Sequence, residues 1–279
     1  MFMTVREEGR RYIASVSFGK DSVAMILMLI EKGYPLDEVV FYDTGMEFNA
    51  IYRVRDKIAG MLDDLGIKYT EMHPDRTFLY DMLEKPVTCR DTSKGTHFGY
   101  GWCGDPCRWG TRAKLTALDK YARQQNAIVY IGIAADEPQR LEKLDSYKRA
   151  PLAEWGVTEA EALQFCRNNG ISWLEGSIDL YDILDRVSCW CCGNKNQKEL
   201  KNIWKCLPEY WNRLLDLQDR IGKPMKKFRT DPVYGDLGDL HNLGMFWEAE
   251  AKTESDAAAS EEPSSYRQLT LWDIMREVS

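Results

Sequence analysis

The chain has 279 residues, of which 44% are hydrophobic and 29% charged, and its formal net charge is −7. These values are typical of a soluble protein with a sizeable core, and they argue against a surface covered in phosphate-binding basic residues. The sequence has no apolar run of membrane-spanning length and no signal-peptide pattern, so we expect a cytoplasmic protein with no membrane partner. Its eight cysteines are then not expected to form disulfides, and those that are clustered are expected to bind metal or take part in redox chemistry.

The first predicted element is a buried strand over residues 12–16 that breaks into a turn at 17–21 and continues as a helix from Ser22. A turn between a strand and a helix presents backbone N–H groups and the positive end of the helix dipole, which together suit a phosphate group. Gly19 lets an oxygen approach the backbone, and Lys20 is a candidate counter-charge. The alternative is a tight strand-to-helix connection that binds no ligand.

The hexapeptide at 17–22, Ser-Phe-Gly-Lys-Asp-Ser, resembles the pyrophosphate-binding loop of the adenine nucleotide alpha hydrolase superfamily, and Phe18 is typical of its phosphoadenosine phosphosulfate (PAPS) reductase branch. It lacks the glycine spacing of a Walker loop. The resemblance implies a doubly wound, mostly parallel α/β domain that binds ATP or another adenylyl nucleotide. Lys20 is then expected to stabilise departing pyrophosphate, and Asp21 to hold Mg²⁺ in part. The nucleotide-binding residues that it implies here are Ser17, Phe18, Gly19, Lys20, Asp21 and Ser22.

A second buried strand is predicted over 38–42, followed by Asp43 and Thr44. Residues 43–52 resemble the Asp-Thr-Gly-x-x-Phe-x-x-x-Tyr segment of PAPS reductases, which implies contact of Asp43 and Thr44 with adenosine. The alternative is a turn that caps a helix over 47–65. A third strand is predicted over 67–72, whereas residues 84–109 show no regular pattern and are expected to form a functional loop.

The next clear strand, over 127–133, leads into a segment similar to the Gly-x-Arg-x-x-Glu-x-x-Arg element of the family. Ala134 stands where the first arginine is expected, so Arg140 is the remaining candidate for anion contact and catalysis, and Gly132 for nucleotide contact. Thr158 and Glu161 predict a capping box at the start of a helix over 158–168. The combined resemblance covers about residues 12–170.

The cysteines are concentrated in two groups, a C-x-x-x-C pair and a C-x-x-C pair with one extra thiol. Two such pairs can close into one tetrahedral thiolate site for zinc or an iron–sulfur cluster. The family resemblance favours a 4Fe-4S cluster, although the order of the cysteines differs from that of relatives. The alternative, cysteines that simply pack, is accepted for Cys166 and Cys206. The expected ligands are Cys103, Cys107, Cys189 and Cys192, with Cys191 as a substitute ligand or free thiol.

Two enzymatic functions follow from the resemblance. In the first, the protein cleaves ATP between its α and β phosphates, adenylates a nucleic acid and replaces an atom with sulfur from a sulfur donor protein. In the second, it reduces adenylylated sulfate (PAPS or adenylylsulfate) to sulfite, but the catalytic cysteine of the thioredoxin-dependent reductases has no counterpart after Cys206. A non-enzymatic nucleotide-sensing module is the third possibility.

The domain prediction has four parts. Residues 1–175 form the nucleotide-binding α/β domain, and 176–250 form a cysteine-rich helical extension that the 86–110 loop completes. Residues 251–265 lack apolar anchors and are expected to be a flexible linker. In the last part, 266–279, the segment Gln268–Trp272 resembles the peptide by which bacterial proteins bind the DNA sliding clamp; a terminal helix folded back onto the domain is the alternative.

Overall fold

The structure is a computed structural model that describes residues 6–91, 93, 95–103 and 107–260, without the side chains of 257–260. The chain divides into two compact units, one that ends at Lys223 and one that begins at Pro224. The segment 268–272, which resembles a clamp-binding peptide, lies outside the described residues. Among the described residues, no helix is both long and apolar enough to cross a membrane.

The main sheet has the strand order β3-β2-β1-β6-β7 among the described residues, and its pairings are all parallel. The central strands are built from β-branched and aromatic residues and are buried on both faces, as parallel strands covered by helices require. The prediction of a doubly wound α/β fold is confirmed. The strands are β1 (Arg11–Val16), β2 (Glu38–Tyr42), β3 (Lys68–Met72), β4 (Pro86–Thr88), β5 (Thr96–Phe98), β6 (Ala127–Ile131), β7 (Lys148–Arg149), β8 (Leu174–Glu175), β9 (Ile178–Asp179), β10 (Thr230–Asp231) and β11 (Gly235–Asp236).

Helices follow the strands and cover the sheet. The predicted capping box is present at the start of α7, where Thr158 and Glu161 satisfy each other's backbone N–H groups. The helices are α1 (Lys20–Glu31), α2 (Asn49–Asp64), α3 (Phe78–Leu83), α4 (Lys114–Gln124), α5 (Pro138–Leu141), α6 (Pro151–Glu154), α7 (Glu159–Asn168), α8 (Leu180–Ile183), α9 (Gln197–Cys206), α10 (Pro208–Ile221) and α11 (Leu240–Ser260).

Two segments differ from the sequence predictions. Within the predicted irregular loop at 84–109, β4 and β5 form a small antiparallel hairpin, and a π-helical segment, Arg108–Ala113, leads directly into α4. In the second compact unit, α11 is helical through 251–260, where a flexible linker was predicted. Its C-terminal half is rich in Ala and Glu, which are strong helix formers, and its first turns are anchored by the buried side chains of Leu240, Leu243 and Trp247.

Candidate functional site

A cleft of about 510 Å³ opens at the carboxyl end of β1, between the 17–22 loop and the residues that follow β6. Ligands of doubly wound folds bind at this edge of the sheet, beside the strand where the order of connection reverses. Most of the predicted nucleotide residues line it: Ser17, Gly19, Lys20, Asp21, Ser22, Gly132 and Arg140. The lining also includes residues that the sequence did not assign to the nucleotide: Lys114, Glu137, Glu159, Tyr181, Asp185, Arg186 and Val187.

The backbone of the loop is partly engaged by the protein itself. Helix α1 begins at Lys20 without a side-chain cap, yet the Lys20 amide donates a hydrogen bond to the Tyr181 hydroxyl at 2.8 Å, and the Ser17 amide donates to the Ser22 hydroxyl at 3.3 Å. Among the described residues, the amides of Asp21 and Ser22 have no hydrogen-bond partner. Because Tyr181 accepts the hydrogen bond of the Lys20 amide, fewer backbone N–H groups of the loop are available to a phosphate than the sequence predicted.

The Lys20 side chain lies between two carboxylates. Its Nζ is 2.8 Å from Asp21 Oδ1 and 2.6 Å from Glu159 Oε2, and only 9% of the side chain is exposed. Burial alone would lower the pKa of Lys20, but the hydrogen bonds to the two carboxylates outweigh it and raise that pKa. Burial raises the pKa of Asp21. Lys20 is therefore a cation in the cleft, held by groups of opposite charge.

Phe18 does not line the cleft, although the sequence assigned it to nucleotide binding. Its side chain is fully buried and packs edge-on against Phe41 with 5.0 Å between ring centroids. Its backbone φ is 55°, an uncommon value for a residue with a side chain. The Trp173 indole donates a hydrogen bond to its carbonyl at 2.7 Å. Phe18 thus fixes the shape of the loop from the core side.

Gly132 and Arg140 both lie where the sequence placed them. A Cβ atom on Gly132 would be 2.8 Å from the Ser22 backbone nitrogen and 2.9 Å from the Asp21 carbonyl carbon, so glycine permits the end of β6 to touch the loop. The Arg140 guanidinium pairs with Glu137, Nη1 lying 2.5 Å from Oε1. Each predicted cation of the cleft is therefore paired with a carboxylate.

Asp43 and Thr44 follow the neighbouring strand and do not line this cleft. Asp43 Oδ1 accepts hydrogen bonds from the Gly45 amide and the Tyr52 hydroxyl, each at 2.8 Å. These bonds form the turn that the sequence analysis gave as the alternative to adenosine contact. Asp43 also lies with Glu71 and His73 in a group whose ligand atoms are within 4.8 Å of one another, close enough to share a metal ion.

The two cysteine groups approach each other. A Cβ on Gly110 would lie 3.6 Å from Cys107 Sγ and 3.8 Å from Cys189 Sγ, so these two sulfurs flank the same glycine. Cys103 Sγ accepts a hydrogen bond from the Arg108 amide at 3.2 Å, and Cys107 Sγ accepts one from the Gly110 amide at 3.3 Å. A Cβ on Gly193, the residue after Cys192, would be 2.5 Å from the Cys103 carbonyl oxygen. Two glycines thus allow two segments that are distant in sequence to make close contact.

The spacing of these thiols bears on the metal that they can hold. Among the described residues, no three cysteine sulfurs lie within 4.8 Å of one another, whereas four thiolates on one zinc ion at about 2.3 Å would be about 3.8 Å apart. In a four-iron cluster each thiolate binds a different iron, so the sulfurs stand farther apart. Cysteine thiols from two converging segments are a donor set of the kind that holds zinc or a 4Fe-4S cluster.

The surroundings of the cysteines are buried and carry charged groups. The Cys189 sulfur is 3.7 Å from the Thr44 hydroxyl and 3.9 Å from Glu47 Oε1. Burial raises the pKa of Cys189 and of Glu47, and burial lowers the pKa of Lys195. The Lys195 Nζ is buried without a hydrogen-bond partner among the described residues, which fits a neighbouring group that is anionic.

Both cysteine segments continue directly into the cleft. Residues 185–187 line it, and Cys189 follows two positions later. Cys107 immediately precedes the π-helical segment Arg108–Ala113, and the residue after that segment, Lys114, lines the cleft. The nucleotide loop and the thiols are therefore neighbours at one edge of the sheet.

Sequence reasoning missed Glu159, Tyr181, Glu47 and Lys195. Glu159 looked like an ordinary acidic residue in the first turn of a helix, and Tyr181 lay beyond the segments that resemble the family. Lys195 begins a stretch rich in lysine, a composition that usually indicates a solvent-exposed helix face. No spacing rule connects these residues to the loop or to the thiols, and the proximity of Lys195 to the C-x-x-C pair was the single available signal.

Comparison with known proteins identifies the family of this chain. "Uncharacterized protein MJ0066" of Methanocaldococcus jannaschii is 23% identical over 252 residues, which cover 84% of this chain and 44% of that protein, so the chain spans less than half of this curated relative. The U34-tRNA thiolase NcsA from Methanococcus maripaludis, solved with its 4Fe-4S cluster, is similar with a TM-score of 0.43 and 14% identity, over 83% of this chain and 78% of that one. Residues 11–175 match the family described as the phosphoadenosine phosphosulfate reductase domain. Because that match covers more than half of the chain, the protein belongs to the phosphoadenosine phosphosulfate reductase domain family.

Proposed function

We propose that the protein is an ATP-dependent enzyme that cleaves ATP between the α and β phosphates and uses the adenylate to introduce sulfur into a nucleic acid. The observation that carries this proposal is the junction of the two sites: the segments that hold Cys107 and Cys189 run directly into the lining of the nucleotide cleft. A site for adenylation beside a thiolate-rich site is the arrangement that sulfur transfer needs.

In the adenylation step, an oxygen of the nucleic acid attacks the α phosphorus and pyrophosphate leaves. The free amides of Asp21 and Ser22 at the start of α1 bind phosphate oxygens, and Lys20 neutralises the charge that develops on the leaving group. Asp21 and Glu159, released from Lys20, are carboxylates of the kind that hold Mg²⁺. Sulfide from a donor then attacks the adenylated carbon, and AMP departs with the oxygen.

The cysteines Cys103, Cys107, Cys189 and Cys192 would hold the metal centre, with Cys191 as the substitute. A 4Fe-4S cluster bound there supplies electron transfer or a binding position for sulfur. The 4Fe-4S assignment is supported by the convergence of the two cysteine segments at Gly110 and Gly193 and by Lys195, whose buried Nζ has no hydrogen-bond partner among the described residues. The nucleotide-binding domain at 1–175 and the cysteine-rich extension at 176–250 remain parts of this proposal. It also keeps a cytoplasmic location, a sulfur donor protein and the sliding clamp as a partner of Gln268–Trp272.

The test is pyrophosphate release from ATP by anaerobically purified protein, with bulk tRNA and DNA as alternative acceptors. Lys20→Ala is expected to lower turnover by about 10²-fold, as loss of a transition-state contact does, with a smaller effect on nucleotide affinity. Lys120→Ala, an exposed lysine on α4, is the matched control. Full turnover in Lys20→Ala would refute its role, and sulfite formed from adenylylsulfate without ATP cleavage would favour the reductase.

A further inference from the structure

Lys195 is the most completely buried lysine near the thiols. It lies between Cys192 and α9, is 2% exposed, and its amide donates a hydrogen bond to the Cys192 carbonyl at 3.2 Å. Its Nζ has no hydrogen-bond partner among the described residues, and lies 5.2 Å from the centroid of the Phe48 ring. A buried ammonium without an anionic partner is strongly unfavourable in a folded protein. We therefore expect another group in the folded protein to offset the charge of Lys195.

The nearby carboxylate does not supply the missing charge. Glu199 acts electrostatically on Lys195, but its carboxylate accepts a hydrogen bond from the Asn196 amide at 3.0 Å in the capping box of α9. That carboxylate is committed to the helix terminus. The second carboxyl group in this region, Glu47, accepts a hydrogen bond from the Thr44 hydroxyl at 3.1 Å, and burial raises its pKa, which favours its neutral form. The compensating charge has to come from another group.

The Cys192 amide donates a hydrogen bond to the Cys189 carbonyl at 3.0 Å, and the Lys195 amide donates to the Cys192 carbonyl at 3.2 Å, so Lys195 closes the turn that carries Cys189, Cys191 and Cys192. The form of cysteine that binds a metal is the thiolate, so loading the site turns neutral thiols into anions. The Cys103 carbonyl packs on Gly193 in the same turn, so the second cysteine segment converges at this point. The anion that Lys195 lacks is therefore generated when these cysteines bind a metal.

We propose that Lys195 is the internal counter-charge of the cysteine-bound metal centre, a positioning residue that holds a negatively charged metal–thiolate group in a buried site. This inference rests on the proposed metal centre. Removal of the ammonium leaves the thiolates uncompensated in a region of low polarity, so the centre loses its metal faster. In the iron–sulfur form, the reduced state carries one more negative charge and is destabilised more than the oxidised state.

The variant Lys195→Met keeps the length of the side chain and removes the charge, and Lys195→Gln is a second variant with a polar end. Lys198→Met, on an exposed lysine of the next turn with 74% side-chain exposure, is the control. The full-length chains are purified anaerobically and compared for metal per chain, the rate of metal loss to a chelator, the reduction potential and the thermal stability of the metal-free protein.

Both Lys195 variants are expected to lose metal about 10- to 100-fold faster than the unmodified protein, as outer-shell substitutions do, and to show a lower reduction potential. Their metal-free forms should be at least as stable as the metal-free parent, because an unpaired buried amine is gone. Metal retention and potential unchanged in both variants would overturn the role of Lys195 and leave the metal centre intact. A parent chain that binds neither iron nor zinc would overturn the metal centre itself and Lys195 with it.

Discussion

In the cleft, the Lys20 ammonium is shared between Asp21, its neighbour in sequence, and Glu159 at the start of α7. In the proposed reaction, pyrophosphate must therefore compete with Glu159 for the Lys20 ammonium. A second cation that binds the two carboxylates would release Lys20 to the pyrophosphate. The six-residue motif at 17–22 was sufficient to predict that Lys20 and Asp21 lie in the cleft. Glu159 comes from a distant helix, and its role follows from tertiary packing that no local pattern encodes.

Gly132 lies so close to the backbone of the 17–22 loop that a side chain at this position would clash with it. Gly132→Ala would place a Cβ 2.8 Å from the Ser22 backbone nitrogen, at the amide proposed to bind phosphate. We expect weaker nucleotide binding and a loss of about 1–3 kcal/mol in the free energy of unfolding, the usual effect of overpacking. Nucleotide titration and urea denaturation measure the two effects.

The control for this substitution is Gly60→Ala, within α2, where a Cβ meets no atom within 4 Å. This variant is expected to be more stable than the parent by about 0.5–1 kcal/mol, because alanine favours a helix interior over glycine. Nucleotide affinity equal to that of the parent in Gly132→Ala would show that the loop does not use this contact.

At the scale of elements, Glu38 joins the amino ends of the strands. It is the first residue of β2, and its side chain is fully buried while pairing with Arg11 of β1 at 3.0 Å and Lys68 of β3 at 2.9 Å. It also accepts hydrogen bonds from Thr70 at 2.5 Å and Tyr121 at 2.8 Å. One carboxylate thus holds three neighbouring strands and α4 together at the edge opposite the cleft.

This carboxylate gives the fold a defined pH dependence. Burial would raise the pKa of Glu38, but the hydrogen bonds from Thr70, Lys68 and Tyr121 outweigh it and hold the pKa below the ordinary 4.5. A group with a depressed folded-state pKa stabilises the fold above its unfolded pKa, and that contribution is lost as the pH falls through the folded-state value. Acid should therefore weaken the packing at this edge.

Glu38→Gln is expected to lower the free energy of unfolding at pH 7 by about 1.5–3 kcal/mol, the worth of hydrogen bonds to a charged group. The same variant should lose less stability on acidification than the parent, since the titrating group is absent. Urea denaturation at neutral and acid pH measures both, with the exposed Glu31→Gln as control. Equal acid sensitivity in parent and Glu38→Gln would contradict this account.

The elements themselves were predicted unevenly. Strands β1, β2 and β6 and helix α7 follow from apolar patterns and capping residues, so local sequence determines them. The β4–β5 hairpin was missed because its strands have three residues each, too few for a period. Helix α11 was missed because its exposed second half resembles a linker in composition, although alanine and glutamate favour helix.

At the scale of the whole molecule, the two cysteine segments at 103–107 and 189–192 close a long loop of chain on each other. A ligand that binds the folded protein alone stabilises it by mass action, by about 2.7 kcal/mol when the free ligand is at 100 times its Kd. Removal of the proposed cysteine-bound metal is therefore expected to lower the melting temperature of the protein. Anaerobic thermal denaturation with and without a chelator measures the difference.

The matched control is a chain with Cys107→Ser and Cys189→Ser, which lacks one thiol in each segment. Its melting temperature should not respond to the chelator. A parent protein equally insensitive to chelation would indicate that the two segments are held together by packing alone.

The run from Tyr181 to Cys189 touches the nucleotide loop at its first residue and Thr44, beside the thiols, at its last. An inserted or deleted residue within it would shift one end out of place whenever the other stayed fixed. Surface loops often change length during evolution, but this short segment is held by contacts at both of its ends. Among homologous chains we therefore expect this segment to keep a constant length. We also expect Tyr181 and Cys189 to be either both present or both absent.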